Sequence, residues 1–292
     1  MKRIKFRADR DMTVLELMIE NGISRKIIKS LKAKGNIKKD EKIIYLNKMI
    51  EEGDFITLIL DDEESNMTPV NIPIKFAYKD DDMMVIDKDY GLSVMSTLNL
   101  HEDTLLNALQ YYLVENKINS KIHIVNRLDR NTTGLMVVAF NRYSASNLNS
   151  QLKNTLKRKY YAIVKGILNQ KEGIIENKIA KESEMTVRRC VRNDGKNAIT
   201  KYKVIKEFGS YSLLDIELLT GRTHQIRVTF SSIGHPLVGD DFYDPLYQEG
   251  DKLLLHSHYI EFIRPSDKKE MKIDIGLSNR MKEFIENNSE SI

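Results

Sequence analysis

The sequence predicts an α+β protein: a long, mixed and mostly antiparallel sheet, preceded by a small α/β domain. Three observations carry this. After residue 75 many short apolar runs rich in β-branched residues are separated by few helical stretches. Before residue 62, two helical stretches precede two strand-like runs. Between these regions DDEESNMTPVNIP is acidic, then Pro-containing and poor in apolar residues, the signature of a linker. The expected organisation is a small domain over 1–62, a linker over 63–72 and a larger domain over 73–292.

In the first region IKFRA alternates and reads as an edge strand. MTVLELMIE, residues 12–20, is helical, with Val14, Leu17 and Met18 on one face. Ser24 caps a second helix, RKIIKSLKAK, that ends at Gly35. Its apolar face is Ile27, Ile28 and Leu31, while Arg25, Lys29 and Lys32 form a basic stripe. KIIYLN and FITLIL, separated by the turn EEGD, read as strands.

The second region is organised around Ile122–Phe140, where the apolar runs IHIV and LMVVAF flank the polar loop NRLDRNTTG. Strands hold such a loop still, which suits it to chemistry. It carries one carboxylate, Asp129, between Arg127 and Arg130. Around it lie a strand MMVID, a helix over 104–116 capped by Thr104, a helix ASNLNSQLKN, and a basic cluster LKRK running into the strand YYAIV. Asn193-Asp194-Gly195 is a hairpin signal, with Arg188, Arg189, Arg192 and Lys196 crowded at the turn. A last helix is expected at SNRMKEFIENN.

Composition narrows the function classes. The chain has 292 residues, 41% apolar and 30% charged, enough for a large domain with a small one. No apolar run approaches the roughly 20 residues that span a bilayer, and the basic N-terminus lacks the apolar core of a secretory signal. No membrane association is expected. The single cysteine, Cys190, excludes an intrachain disulfide and a cysteine-cluster zinc site, and a reducing, cytoplasmic setting is expected. The net charge of +4 permits a polyanionic partner.

Spaced motifs, over about 75–265 and in the family's order along the chain, resemble the RluA family of pseudouridine synthases. NRLDRNTTG resembles the family's HRLDxxTSG, with Asn126 for His and Thr133 for Ser. MMVIDKDYG resembles a strand running into Lys-Pro-x-Gly, keeping Lys88 and Gly91 but carrying Asp89 for Pro. RKYYAIVKG resembles KxYxAxVxG, with Arg158 in the place of Lys. TGRTHQIR matches the family core unbroken, followed by Thr229 for His, and GHPLVGDDFYDP resembles GxPIxGDxxYG with Asp244 for Gly. Residues 12–61 resemble, more loosely, the S-four-type RNA-binding domain shared with a small-subunit ribosomal protein.

The resemblance implies a pseudouridine synthase fold and the isomerisation of uridine to pseudouridine within RNA, without cofactor or metal. It assigns the chemistry to Asp129, either attacking C1′ or taking the C2′ proton, with Tyr160 against the uracil and Arg227 in a salt bridge to Asp129. Arg127, Arg130, Arg222, His224 and Gln225 are expected to contact RNA, as are Arg25, Lys29, Lys32, Arg188 and Arg189. Large-subunit ribosomal RNA is the expected partner ahead of tRNA, and the protein is expected to be a monomer. His256-x-His258 could suggest a metal pair, but no third ligand is evident in the sequence. The rival readings are an RNA-binding protein that kept the fold without activity, and a two-carboxylate glycoside hydrolase, for which no second acid is marked.

Overall fold

The computed structural model describes residues 1–61, 65, 67–96 and 103–289. Of the expected linker, residues 63, 64 and 66 lie outside the described residues. The N-terminal part contains β1 (Lys2–Arg7), β2 (Met12–Thr13), α1 (Val14–Glu20), α2 (Arg25–Ala33), β3 (Ile37–Lys39), β4 (Lys42–Ile43), β5 (Met49–Ile50) and β6 (Phe55–Leu60). A sheet of order β1-β6-β3-β4 packs against both helices. β1 is an edge strand, as its alternation suggests. The first helix starts two residues later than the apolar pattern indicates. Met12 and Thr13 pair with β5, and Thr13 closes a capping box with Glu16. KIIYLN yields only the two residues of β4, and the strand next to β6 is instead β3, whose polar sequence hides it.

The larger part continues with β7 (Lys75–Lys79), β8 (Met83–Lys88), α3 (Leu105–Glu115), β9 (His123–Ile124), β10 (Thr133–Ala139), α4 (Arg142–Asn154), β11 (Lys157–Lys165), β12 (Glu172–Lys181), β13 (Arg189–Val191), β14 (Lys196–Phe208), β15 (Tyr211–Leu218), α5 (Gln225–Ser232), β16 (Leu255–Ile263), β17 (Glu270–Asp274) and α6 (Asn279–Ser289). Among the described residues eleven strands form one sheet, ordered β13-β12-β14-β15-β11-β16-β10-β8-β7, with β17 on β16 and β9 on β10. Its ladders are antiparallel except β10 with β16. This is the mixed, mostly antiparallel sheet that the strand pattern implies. β7, β12 and α5 are not marked by that pattern. β12 mixes Ile with Glu, Asn and Lys and buries only Ile179, so it carries little apolar signal.

One sheet face packs under α3 and α5, through residues such as Leu109, Met136, Tyr160 and Phe230. The other packs under α4, through Val137, Leu148 and Ile260. The N-terminal core is closed by Tyr143 of α4, whose ring meets Phe6 edge-on at 5.4 Å. Lys2 also pairs with Asp82 at 2.5 Å, a second contact between the smaller part and the larger.

The parallel seam between β10 and β16 fixes the far end of the central loop. Gly134 pairs with Ser257 there at φ +104°, and a Cβ at 134 would lie 2.2 Å from the Ser257 carbonyl oxygen. Gly134→Ala is therefore expected to cost more than about 3 kcal/mol, because backbone strain and a backbone clash coincide. Thermal melts would show this as a large fall in Tm. A melt within two or three degrees of wild type would contradict the seam's tightness.

Candidate active site

The loop between β9 and β10 is tied down beneath its carboxylate. Lys88, 2% exposed at the end of β8, donates to the carbonyls of Asp89 (2.9 Å), Leu92 (3.0 Å) and Arg130 (2.9 Å). Burial pulls its ammonium down to about 8, against the charges of Asp129 and Asp89, so it is still cationic at neutral pH. Arg130 returns a hydrogen bond from Nε to the Gly91 carbonyl at 3.0 Å. Asn126, buried at the start of the loop, accepts from the Val137 amide at 2.7 Å, and Thr133 shares a hydrogen bond with His256 Nδ1 at 2.7 Å. These bonds present Asp129 at the mouth of a cavity of about 250 Å3, lined also by Tyr160, Arg158, Arg222, His224 and Arg227.

Tyr160 and Arg227 come from different elements. Tyr160 lies on β11, 4% exposed, and burial holds its phenol above the usual range, so at neutral pH it is a protonated ring and a hydrogen-bond donor rather than a base. Arg227 lies on α5, whose entry requires His224 in the left-handed region at φ 56°. The guanidinium reaches Asp129 Oδ2 at 3.8 Å, but its hydrogen bonds go elsewhere. They run to Asp240 at 2.8 and 2.6 Å and to Asp241 at 2.6 Å. The expected Arg227–Asp129 bridge is thus the outermost contact of a larger cluster. Burial opposes the charge on Arg227, yet Asp240, with Asp129 and Asp241, holds its pKa above the ordinary guanidinium value.

His224 approaches the same oxygen of Asp129, with Nε2 at 3.9 Å from Oδ2. Its Nδ1 meets the Tyr243 hydroxyl at 2.9 Å, and that hydroxyl already accepts from the Arg189 amide at 2.8 Å. The tyrosine proton therefore goes to Nδ1, which leaves the histidine proton on Nε2, facing the carboxylate. Burial lowers the His224 pKa despite Asp129, favouring this neutral form. Through Tyr243 the hairpin carrying Arg189 is brought to the site.

The other residues expected at RNA divide. Arg127 is exposed on the cavity wall, and Arg222 is exposed at its rim with Nε on the Asn197 carbonyl at 2.9 Å. Arg25, Lys29 and Lys32 are exposed on α2, distant in the chain from the cavity and unpaired within the described structure. Arg188 is exposed and pairs with Glu182 at 3.6 Å. Gln225 does not fit the expectation. It is 2% exposed. Its Oε1 accepts from the Arg222 amide and the Thr220 hydroxyl, each at 2.9 Å. Its Nε2 donates to the Ile199 carbonyl and Thr200 hydroxyl, each at 3.1 Å. All its capacity braces the β15–α5 turn, leaving none for RNA. Asp240 and Asp241 were not singled out in the sequence, although GDD is part of the motif that holds them. His256 and His258 serve different partners: His258, the bulged residue of β16, lies between Asp215 and Asp274 at 3.2 and 3.1 Å.

The model of the RNA pseudouridylate synthase family matches residues 82–232, which span the loop, Tyr160 and Arg227. The chain is 32% identical over 278 residues to an RNA pseudouridine synthase of Bacillus subtilis, YjbO, covering 94% of this chain and 98% of that one. The chain belongs to the RluA-type RNA pseudouridine synthases. It is accordingly an isomerase. It is also 35% identical over 254 residues to the ribosomal large subunit pseudouridine synthase D of Borreliella burgdorferi, covering 83% of this chain and 74% of that protein. The solved structure of human RNA pseudouridylate synthase domain containing 4 shares the fold, with a TM-score of 0.59 at 21% identity over 71% of this chain and 90% of that one. No described helix is long and apolar enough to cross a membrane.

Two consequences of this synthase's geometry are open to measurement. Arg227→Met would leave Asp240, which has no exposed side-chain surface, as an unpaired buried carboxylate. A loss of about 3–5 kcal/mol is expected in denaturant titrations, and near-wild-type stability would contradict the cluster. His256 is the second case. Burial, with the charge of His258, pushes it down to about 4, against about 6.5 in an unfolded chain. Between those values the unfolded chain binds the proton and the folded chain does not, so stability is present above pH 6.5 and falls as pH drops towards 4, by about 3 kcal/mol at most. His256→Asn should lose less stability than wild type over this window; parallel losses would contradict the assignment.

Proposed function

We propose that this enzyme isomerises specific uridines of large-subunit ribosomal RNA, with Asp129 acting at the ribose and no cofactor. The observation that carries the reading is the meeting of three residues from separate elements, Asp129, Tyr160 and Arg227, around one cavity of about 250 Å3. The ribosomal target rests on the named function of relatives such as the Borreliella burgdorferi enzyme.

In this reading the target uridine leaves its stack, at a cost of a few kcal/mol, and its uracil lies against Tyr160. Arg227 keeps a fixed positive charge beside Asp129 as negative charge shifts, and the Asp240 clamp prevents that guanidinium from swinging out with the substrate. The Nε2 proton of His224 faces the same carboxylate oxygen. The C1′–N1 bond breaks, the uracil turns within the cavity and C5 bonds to C1′; C5 then loses its proton and N1 gains one, so the product is an isomer of the substrate. Residues 1–62 would act as an RNA-binding domain of the S-four type, with Arg25, Lys29 and Lys32 on the phosphate backbone.

Asp129→Asn is nearly isosteric and is expected to keep the fold and RNA affinity while product falls below detection in single-turnover assays at saturating RNA. Appreciable pseudouridine from a folded, uncontaminated variant would sink the catalytic assignment. Mapping pseudouridines in a strain lacking the protein tests the target: loss of a site in large-subunit ribosomal RNA is expected, and a loss confined to tRNA would overturn that part.

A further inference from the structure

Three lysine or arginine side chains are buried among the described residues: Lys88, Arg158 and Arg227. Lys88 has three carbonyl acceptors, and Arg227 has Asp240 and Asp241. Arg158 is 8% exposed, and its enclosed Nε has no hydrogen-bond partner. No ion pair or hydrogen bond in the described structure reaches its side chain. A buried guanidinium without an acceptor is unfavourable, and the fold has no evident structural use for it.

Its position suggests the use. Arg158 lies two residues before Tyr160 on β11, hence on the same face of the strand. It lines the cavity that holds Asp129 and also a second cavity of about 550 Å3, at the end of α4 and the rims of β15 and β16. Leu152 and Leu218 are shared by both, so Arg158 stands at the partition. Gly221 packs against it: a Cβ there would lie 3.0 Å from Nη1. The second cavity offers an apolar floor from Leu152, Leu219 and Phe262. Two of its acids, Glu261 and Glu270, are already neutralised by Lys157 and Lys272, each at 2.9 Å.

We propose that Arg158 binds the phosphate joining the target nucleotide to its neighbour, and that the second cavity receives that neighbouring nucleotide. The proposal rests on the reading that the target uridine occupies the cavity of Asp129. A phosphate is favoured over a uracil carbonyl because only an anion compensates a full buried charge. The apolar floor suits a base face, and the partition places a phosphate between two bases, as a single strand requires.

The test uses the full-length protein and a short RNA substrate, unmodified or carrying one methylphosphonate on the 5′ or 3′ side of the target uridine. In wild type, one of these two replacements should weaken binding about ten- to hundredfold. Arg158→Met should weaken binding of the unmodified RNA by a similar factor, reduce the salt slope by about 0.7, and show no further loss with the methylphosphonate. Arg158→Lys should recover most of the affinity and the sensitivity. Without RNA, Arg158→Met should melt at or above the wild-type temperature, because it removes an uncompensated charge. Undiminished affinity and salt slope, or a methylphosphonate penalty equal in Arg158→Met and wild type, would overturn the proposal; so would a marked fall in the Tm of Arg158→Met, which would mark a structural residue. Failure of the underlying reading would show separately, as wild-type activity on the unmodified RNA that survives Asp129→Asn.

Discussion

The site depends on a buried guanidinium held by two carboxylates. Arg227 spends its hydrogen bonds on Asp240 and Asp241 and offers Asp129 only a flank, at 3.8 Å. A direct bidentate bridge to Asp129 would have tied the carboxylate down and weakened it as a nucleophile or base. Instead the charge is anchored in the fold and the carboxylate is left 30% exposed to the cavity. Such an arrangement stabilises charge as it develops without reorganising at the moment of reaction. It also explains why the GDD turn, far along the chain, belongs to the same unit as the loop of Asp129.

The loop itself is held at both ends by different means. Lys88 gathers three carbonyls beneath it, a polar anchor that costs desolvation but orders irregular backbone. Gly134 anchors the other end sterically, at the parallel contact where β10 meets β16 too closely for any side chain. Between these anchors Asp129 is held at both flanks, which is the condition that the proposed role at the ribose would require.

How much of this the sequence discloses depends on the kind of constraint. Asp129, Tyr160 and Arg227 were legible because their motifs keep their spacing, and the main sheet was legible because apolar runs with β-branched residues mark buried strands. β3 and β12 were not: each buries a single side chain, so these interior strands, held by backbone pairing, carry little apolar pattern. Gln225 shows the limit of motif reading. It sits between His224 and Arg227, both at the cavity, yet the first turn of α5 rotates it inward to brace its own turn. Arg158 shows the reverse: its chemistry was visible as a letter in a basic cluster, but its isolation from any acceptor is a three-dimensional fact.

The departures from the family letters fall mostly where a substitute partner exists. Asn126 supplies an acceptor to the Val137 amide, although its own buried Nδ2 has no partner, and Thr133 shares a hydrogen bond with His256. Asp89 pairs with Lys75 at the surface at 2.7 Å, and Asp244 with Lys165 at 2.7 Å. Nothing in the structure explains Thr229, whose buried hydroxyl has no partner. Neither these five nor Arg158 in the place of Lys removes a group from the trio at the cavity. The changes therefore alter how the scaffold is fastened, while the carboxylate, the ring and the guanidinium that meet at the cavity keep their places.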